Sequence, residues 1–363
     1  QVNSQIYLRP IKADDFLNKD WNWDRPVVIS PPGEMDKNAC VMSKKFKGRY
    51  AFFHRIDQSI WFDLVDDLNF SGNDGFLMGK IAIAIIFPES NGGSEPSVQD
   101  WADSEITQYT TTAQNKMDFW ANANSKANIS YVYEIKPRVP VSWEPANYAS
   151  NTISVETPGN AKWLPEVCTY LGYTSGSYFT NLRTYCNDLR KNYKTNWAFV
   201  LFQVKAQGLP GRSYAYFGGP FIMNYPFSTD ATSHEAGHIF WADDEYTGSG
   251  ASATDQSGYF GGLNGNYDGP VNCVMKVGDG SATICDYTKV QLGWRDDNTN
   301  NVEDLLEPNP EESGILGGAG IYSGIAKAGA YTPRYNGSPT TIKKVASVSY
   351  KVDSGDWNSA SAT

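Results

Sequence analysis

The chain has 363 residues, of which 40% are hydrophobic and 14% are aromatic. That is enough apolar material for a sizeable core, which excludes disorder as the main state. The net charge of −10 disfavours a nucleic-acid partner, because an acidic surface repels phosphates. The longest strongly apolar run, residues 81–87, is far shorter than the roughly 20 residues that span a bilayer. We therefore expect no transmembrane segment, and no basic-then-apolar leader opens the chain.

The pattern along the chain predicts an α+β protein in three regions. Residues 1–73 are aromatic and turn-rich, with strand-like runs at 50–53 and 59–62. Residues 74–305 mix β-branched apolar runs with helical periodicity, and residues 306–363 return to β-type alternation at 341–352. In the middle region we expect strands at 80–87, 129–135, 197–204 and 213–223, helices at 97–123, 182–193, 230–241 and 287–294, and a long loop at 247–270.

His234-Glu235-Ala236-Gly237-His238 matches the H-E-x-x-H pattern of zinc sites. Two histidines four residues apart lie about 40° apart in projection on a helix, so both rings can reach one metal ion. Glu235 lies beside that point and can take a proton from a metal-activated water. The chain has only three histidines, and two of them stand at this spacing. Two structural histidines on a helix are the alternative.

A catalytic zinc needs a third protein ligand. The remaining histidine, His54, lies in the N-terminal region, so a carboxylate is expected from Asp243, Asp244 or Glu245. Asp244 is ten residues after His234, which is the offset at which a chain that turns off such a helix delivers its third ligand. We predict Asp244 as the ligand, with Glu245 as the alternative and a helix that ends by about residue 242. A solvated acidic helix end or a calcium site is the competing interpretation.

The five cysteines include two local pairs, Cys168 with Cys186 and Cys273 with Cys285. Two disulfides with Cys40 unpaired would suit an exported protein. Pairing cannot be read from a sequence, so five reduced, buried cysteines remain the alternative. A structural calcium ion could be held by residues 264–268, Asn-Gly-Asn-Tyr-Asp.

The stretch HEAGHIFWADDEY resembles the H-E-x-G-H-x-x-x-x-x-D-E-Y segment of secreted zinc peptidases related to the immune-inhibitor-A group, and more widely the metzincins. The resemblance implies a mixed twisted sheet, a long helix, an active-site helix and a Met-turn. GKIAIAIIFPESNG would be the opening strand, SYAYFGGP the edge strand that pairs with substrate, and NCVMK the Met-turn with Met275 beneath the metal. One departure is Trp241, which stands where metzincins have the glycine that permits a sharp exit from the helix.

The flanking regions carry weaker resemblances. Residues 36–68 resemble one blade of propeller-type glycoside phosphorylases and hydrolases, and residues 343–362 resemble the start of an immunoglobulin-like module. A single blade cannot build a sugar-cleaving site, so a small β region that accompanies the catalytic domain is expected.

The sequence therefore predicts an exported, zinc-dependent endopeptidase that acts on a protein or glycoprotein substrate. His234, His238 and Asp244 would bind Zn²⁺, and Glu235 would be the general base. The alternatives are a carbohydrate-active protein and a non-catalytic metal-containing binding module of a larger secreted protein. Glu235 separates them, because a purely structural metal site does not need a base.

Overall fold

The structure of the chain is a computed structural model. It describes residues 49–56, 59–66, 75–96, 99–147, 152–153, 156, 161–206, 209, 212–225, 231–280, 283–307, 310–316, 322–329, 340–343, 348–350 and 358–362. The chain divides into two compact units, one of residues 1–69, 307–331 and 339–363, and one of residues 70–306 and 332–338. The N-terminal and C-terminal regions, which the sequence analysis treats separately, thus belong to one unit.

Strands and helices alternate through the central part of the chain. The described strands are β1 (Arg49–Ile56), β2 (Ser59–Asp66), β3 (Lys80–Ser90), β4 (Ser130–Val141), β5 (Ala146–Asn147), β6 (Thr152–Ile153), β7 (Trp197–Gln203), β8 (Tyr214–Ala215), β9 (Phe221–Asn224), β10 (Gln256–Ser257), β11 (Gly262–Leu263), β12 (Pro310–Leu316), β13 (Tyr322–Ala328), β14 (Val348–Tyr350) and β15 (Asn358–Ala362). The described α-helices are α1 (Asp103–Ala123), α2 (Leu164–Tyr170), α3 (Tyr178–Tyr193), α4 (Thr232–Ile239), α5 (Val274–Val277) and α6 (Asp286–Gln291).

The unit that contains both ends of the chain is built from strands. Its four-stranded sheet has the order β1-β2-β15-β14, in which β1 and β2 form an antiparallel hairpin and β15 runs parallel to β2. Strands β12 and β13 form a separate antiparallel pair. The propeller-blade and immunoglobulin-like resemblances remain predictions.

The other unit is centred on a five-stranded mixed sheet with the order β4-β3-β7-β9-β8. Strand β3 is parallel to both β4 and β7, β9 is parallel to β7, and β8 is the antiparallel edge strand. The strand predicted at 213–223 is in fact two strands, because the chain turns at residues 217–220 between them. A mixed sheet with helices agrees with the α+β class.

Both faces of this sheet are covered, as the unbroken apolar runs of β3 and β7 require. Side chains alternate between the faces of a strand. Ala82, Ala84 and Ile86 of β3 pack in a core with α2 and α3, while Ile81, Ile83 and Ile85 point to the opposite face and are also fully buried. Helix α2 at Leu164–Tyr170 was not predicted, because a seven-residue helix offers too few turns for a periodic signal.

Helix α1 holds α4 in place on the second face of the sheet. Trp120 of α1 donates its indole N–H to Ser233 O at 3.0 Å, and the Ser233 hydroxyl donates to Lys116 O at 3.0 Å. Trp120 is fully buried. These contacts fix the first turn of α4, where the histidine motif begins.

The predicted disulfides are wrong, because Cys168, Cys186, Cys273 and Cys285 are all buried free thiols. Cys168 Sγ donates to Tyr178 O at 3.6 Å, whereas Cys186 Sγ donates to Pro220 O at 3.9 Å, so these two side chains have separate partners. Burial raises the pKa of both thiols to about 12. Cys40 lies outside the described residues.

None of the helices among the described residues is both long enough and apolar enough to cross a membrane.

Candidate metal site

Helix α4 begins without a capping side chain of its own. Its N-cap is Ala231, which makes no side-chain capping hydrogen bond. Instead, Asp279 accepts hydrogen bonds from the backbone N–H groups of Ser233 at 3.1 Å and His234 at 2.9 Å. They are two of the four backbone N–H groups that have no partner within the helix at its N-terminal end. Lys116 pairs with the same carboxylate at 3.2 Å, so a remote acid fixes the backbone of His234.

Helix α4 ends at Ile239, and the chain turns sharply there. The Ala242 N–H donates to Gly237 O at 3.0 Å, and the Trp241 N–H donates to His238 O at 3.1 Å. These two hydrogen bonds form the Schellman motif, which requires a residue in the left-handed conformation just after the C-cap of the helix. Trp241 takes that position with φ of 71°, where a glycine would be the unstrained choice. The exit that the resemblance assigns to a glycine is therefore made by Trp241.

The turn brings Asp244 back to both imidazoles. Asp244 Oδ1 lies 3.0 Å from His234 Nε2 and 3.3 Å from His238 Nε2. Ligand atoms about 2.0–2.1 Å from a tetrahedral zinc lie about 3.3 Å from one another. The separations therefore fit a single metal ion at this point.

The tautomers of the two histidines leave this point rich in acceptors. His234 Nδ1 lies 2.9 Å from Val274 O, and His238 Nδ1 lies 2.7 Å from Ala242 O. A carbonyl only accepts, so each Nδ1 carries the hydrogen and each neutral ring presents an Nε2 lone pair. Asp244 Oδ1 is buried and accepts no hydrogen bond under that assignment. With both rings neutral, two lone pairs and a carboxylate oxygen thus face one another, an arrangement that a bound cation would stabilise.

Without a metal, protons serve as that cation. Burial opposes a charged His234, but the hydrogen bond to Asp244 and the charge of Glu235 outweigh it and raise the pKa of His234 to about 9. Burial raises the pKa of Asp244, but its hydrogen bonds to the two imidazoles prevail and lower that pKa well below its usual range. The donor set of two imidazoles and a carboxylate suits Zn²⁺.

Glu235 is buried in the same turn of the helix, with 5% of its surface exposed. Burial raises the pKa of its carboxyl, an effect that the neighbouring charges of His238 and His234 reduce. A carboxylate with a raised pKa is a better proton acceptor than a free one.

The segment around Met275 contacts helix α4 and the turn that follows it. Val274 O receives the His234 ring hydrogen, and Met275 O accepts the Glu245 backbone N–H at 3.0 Å. Met275 is fully buried against α4, since a Cβ on Gly237 would come within 2.5 Å of its Sδ. Gly237 is therefore needed for the close packing of this segment.

The other candidate carboxylates lie elsewhere. The Asp243 backbone N–H donates to Gln291 Oε1 at 3.0 Å. Glu245 is fully buried and its carboxylate faces Thr288 and Asn266. His54 belongs to β1, in the other unit.

Tyr246 is a site residue that the sequence analysis did not identify. Its ring centroid lies 6.3 Å from that of His234. Burial and the charge of Asp244 raise the pKa of Tyr246. The tyrosine hydroxyl therefore lies close enough to the predicted ligand to interact with its charge. The sequence Asp244-Glu245-Tyr246 indicated that the tyrosine is close to the predicted ligand, because it follows Asp244 by two residues.

The edge of the sheet lies beside the site. The Gly218 N–H, just after β8, donates to His238 O at 2.9 Å. Phe217 is 40% exposed, and its ring lies 6.2 Å from the His238 ring and 5.0 Å from the Trp241 ring. Among the described strands, β8 pairs only with β9, and an exposed strand edge beside a candidate metal site is where an extended peptide can add as a further strand.

The loop predicted to hold calcium uses its polar groups within the chain. Asn264 donates to Asp244 O at 2.8 Å and Asn266 donates to Val271 O at 2.9 Å. The Asp268 carboxylate accepts from Thr247 N at 3.1 Å. Calcium binding at this loop stays a prediction.

Comparisons with models of known protein families, with curated proteins and with solved structures return no match to this chain.

Proposed function

We propose that this protein is a zinc-dependent endopeptidase. The observation that carries the proposal is the convergence of three acceptors, His234 Nε2, His238 Nε2 and Asp244 Oδ1, on one point beside a buried glutamate. A group of three protein ligands with a neighbouring base is typical of hydrolytic rather than structural zinc.

The chemistry divides between the ion and the chain. Zinc, when bound, polarises a scissile carbonyl and lowers the pKa of a water molecule towards about 7. Glu235 accepts the proton of the attacking water and returns it to the leaving amine, which its raised pKa favours. Tyr246, which interacts with the charge of Asp244, would help to orient that carboxylate.

The substrate class follows from the edge strand. In the described part of the chain, strand β8 pairs with β9 alone, and residues 216–218 continue from it past His238. An extended peptide that pairs with this edge would run beside the metal point, and the exposed Phe217 would contact its side chains. We therefore propose a protein or glycoprotein substrate bound in an extended conformation.

The exported location is proposed from the resemblance to secreted peptidases alone, because the described cysteines form none of the disulfides that would have favoured it. A carbohydrate-active function has no supporting contact among the described residues.

Paired variants test the proposal. Asp244→Ala should lose one equivalent of zinc and all casein hydrolysis, whereas the matched Asp243→Ala should keep most of both. Glu235→Gln should keep the zinc but lower kcat about 10²–10⁴-fold, because the amide keeps the shape and cannot accept the proton. Metal content and casein digestion measure these effects. A Glu235→Gln protein with near-native activity would overturn the peptidase mechanism, and a chain that binds zinc but cleaves no peptide would be the non-catalytic binding module.

A further inference from the structure

A second group of metal-ligating side chains lies apart from the histidines. The group contains Glu245, Cys273 and Cys285. Each offers one ligand atom, and these three atoms lie within 4.8 Å of one another. The three residues are 0%, 0% and 4% exposed. A group this deeply buried is not a solvated acidic surface.

Three separate segments bring these residues together. Glu245 follows the turn at the end of α4, and its backbone N–H donates to Met275 O at 3.0 Å. Cys273 is the N-cap of α5, and Cys285 is the N-cap of α6. A β-bridge between Cys273 and Thr283 holds the two caps side by side, and the Cys285 N–H donates to Cys273 Sγ at 3.3 Å.

The carboxylate of Glu245 has no cationic partner among the ion pairs of the described residues. Its contacts are neutral donors, with Cys285 Sγ at 2.8 Å and Thr288 Oγ1 at 2.7 Å from Oε1, and Asn266 Nδ2 at 2.5 Å from Oε2. Burial of a carboxylate without a positive charge is costly, because neutral donors replace water only in part. A cation at the cluster would supply the missing charge.

The chemistry of the donors selects the cation. Two sulfurs and a carboxylate oxygen favour a borderline-soft divalent ion such as zinc over calcium or magnesium, which prefer oxygen ligands alone. The Thr288 hydroxyl lies 3.4 Å from each sulfur and 2.7 Å from Glu245 Oε1, and so stands at a fourth corner.

We propose that Cys273 Sγ, Cys285 Sγ and the Glu245 carboxylate form a second, structural zinc site, with the Thr288 hydroxyl beside them. Binding forms two zinc–sulfur bonds and one zinc–oxygen bond and releases the two thiol protons to solvent. The cluster has a charge of −1 from its carboxylate before binding. It keeps a charge of −1 afterwards, since two thiolates and one carboxylate surround an ion of charge +2. Binding therefore adds strong bonds without adding buried net charge.

The site has a structural consequence. Glu245 is adjacent to Asp244, and the two carboxylates serve different clusters. An ion at Glu245 ties the turn after α4 to the starts of α5 and α6, and so stiffens the segment that delivers Asp244 to the histidines.

Metal content of the full chain, purified under reducing conditions, tests the proposal. We expect two equivalents of zinc in the native chain, and one in the His234→Ala/His238→Ala variant. We expect one equivalent in Cys273→Ser, and again one in Cys285→Ser. Cys168→Ser is the matched control, a buried free thiol with no metal-ligating neighbours, and should keep two.

Cobalt substitution provides the second measurement. Sulfur-to-cobalt charge-transfer absorption should be present in the native chain and in His234→Ala/His238→Ala, and absent in Cys273→Ser. Should the serine variants fail to fold, Glu245→Gln keeps both thiols and should weaken cobalt binding more than tenfold.

Several results would overturn the second site. One is a native chain that binds a single zinc ion, which is lost in His234→Ala/His238→Ala. Another is a cobalt-substituted chain that lacks sulfur-to-cobalt charge-transfer absorption. A third is a disulfide between Cys273 and Cys285 in the metal-free protein. A chain that binds zinc only at the cysteines would instead keep this inference and remove the peptidase proposal.

Discussion

Individual side chains at the candidate metal site are oriented by groups that never touch the metal point. The carbonyls of Val274 and Ala242 fix the ring hydrogens of the two histidines on Nδ1, which leaves each Nε2 free as a ligand. Tyr246 lies beside Asp244, and burial and the charge of that carboxylate raise the pKa of the tyrosine. The ligand geometry thus depends on this outer layer.

Tyr246→Phe should weaken zinc binding and lower kcat/KM, each by about 10–100-fold, because the predicted ligand Asp244 loses the neighbouring hydroxyl that would orient it. Tyr287→Phe is the matched control, since that ring is 45% exposed and lies on α6. Competition with a chelator measures the affinity, and peptide cleavage measures the rate. Equal zinc affinity in Tyr246→Phe and the native chain would exclude the orienting role.

Sequence reasoning could propose the three candidate ligands because their spacing is local. The two histidines share a helix, and Asp244 follows His238 by only six residues. It missed Asp279 and Tyr246 because their roles depend on tertiary contacts, which no periodicity encodes. It placed sulfur–sulfur bonds where the structure has free thiols, because proximity of Cys273 to Cys285 does not specify how they pair.

Helix α4 is only eight residues long, so its position depends on what holds its ends. Asp279→Ala removes the acceptor for the Ser233 and His234 N–H groups and should lower the free energy of unfolding by about 0.5–2 kcal/mol. Zinc affinity should fall as well, since His234 loses its backbone anchor. Asp286→Ala is the control, because that first-turn acid of α6 is 93% exposed and its ion pair contributes little. Urea unfolding checks the difference; equal midpoints for the two variants would contradict the capping role.

The edge strand β8 and the end of α4 are held together at Gly218. A Cβ there would lie 2.4 Å from the Trp241 ring, and the residue has φ of 77°. Gly218→Ala should therefore push the edge strand away from His238 and lower kcat/KM. Gly248→Ala shares the left-handed backbone, with φ of 86°, but its Cβ would meet nothing within 4 Å. Both variants should lose about 1–2 kcal/mol from backbone strain, but only Gly218→Ala should lose activity beyond that. Equal activity of the two would show that the contact with Trp241 does not position the edge.

In the unit of residues 70–306 and 332–338, the sheet is buried on both faces, and the candidate metal ligands lie outside the sheet. The apolar strands β3 and β7 were predictable because buried runs between turn residues are a strong local signal. The division of the edge into β8 and β9 was not, since it depends on how the turn at 217–220 packs on α4. The candidate ligands come from one short helix and the turn after it, so a metal ion bound there would join parts of this unit.

Zinc should therefore stabilise the folded chain, because it binds acceptors that converge only in the native state. At a free zinc concentration about 100 times Kd, one site contributes about 2.7 kcal/mol. For a unit of this size, each kcal/mol raises Tm by about 2–4 °C, which predicts a rise of about 5–11 °C for this site. The contribution of the histidine site is the difference between the zinc-dependent shift of the native chain and that of His234→Ala/His238→Ala. Calorimetry of both proteins, with zinc and with a chelator, measures it. Identical shifts in the two proteins would mean that the histidines do not bind the ion, and the metal site of the proposed peptidase would fall with them.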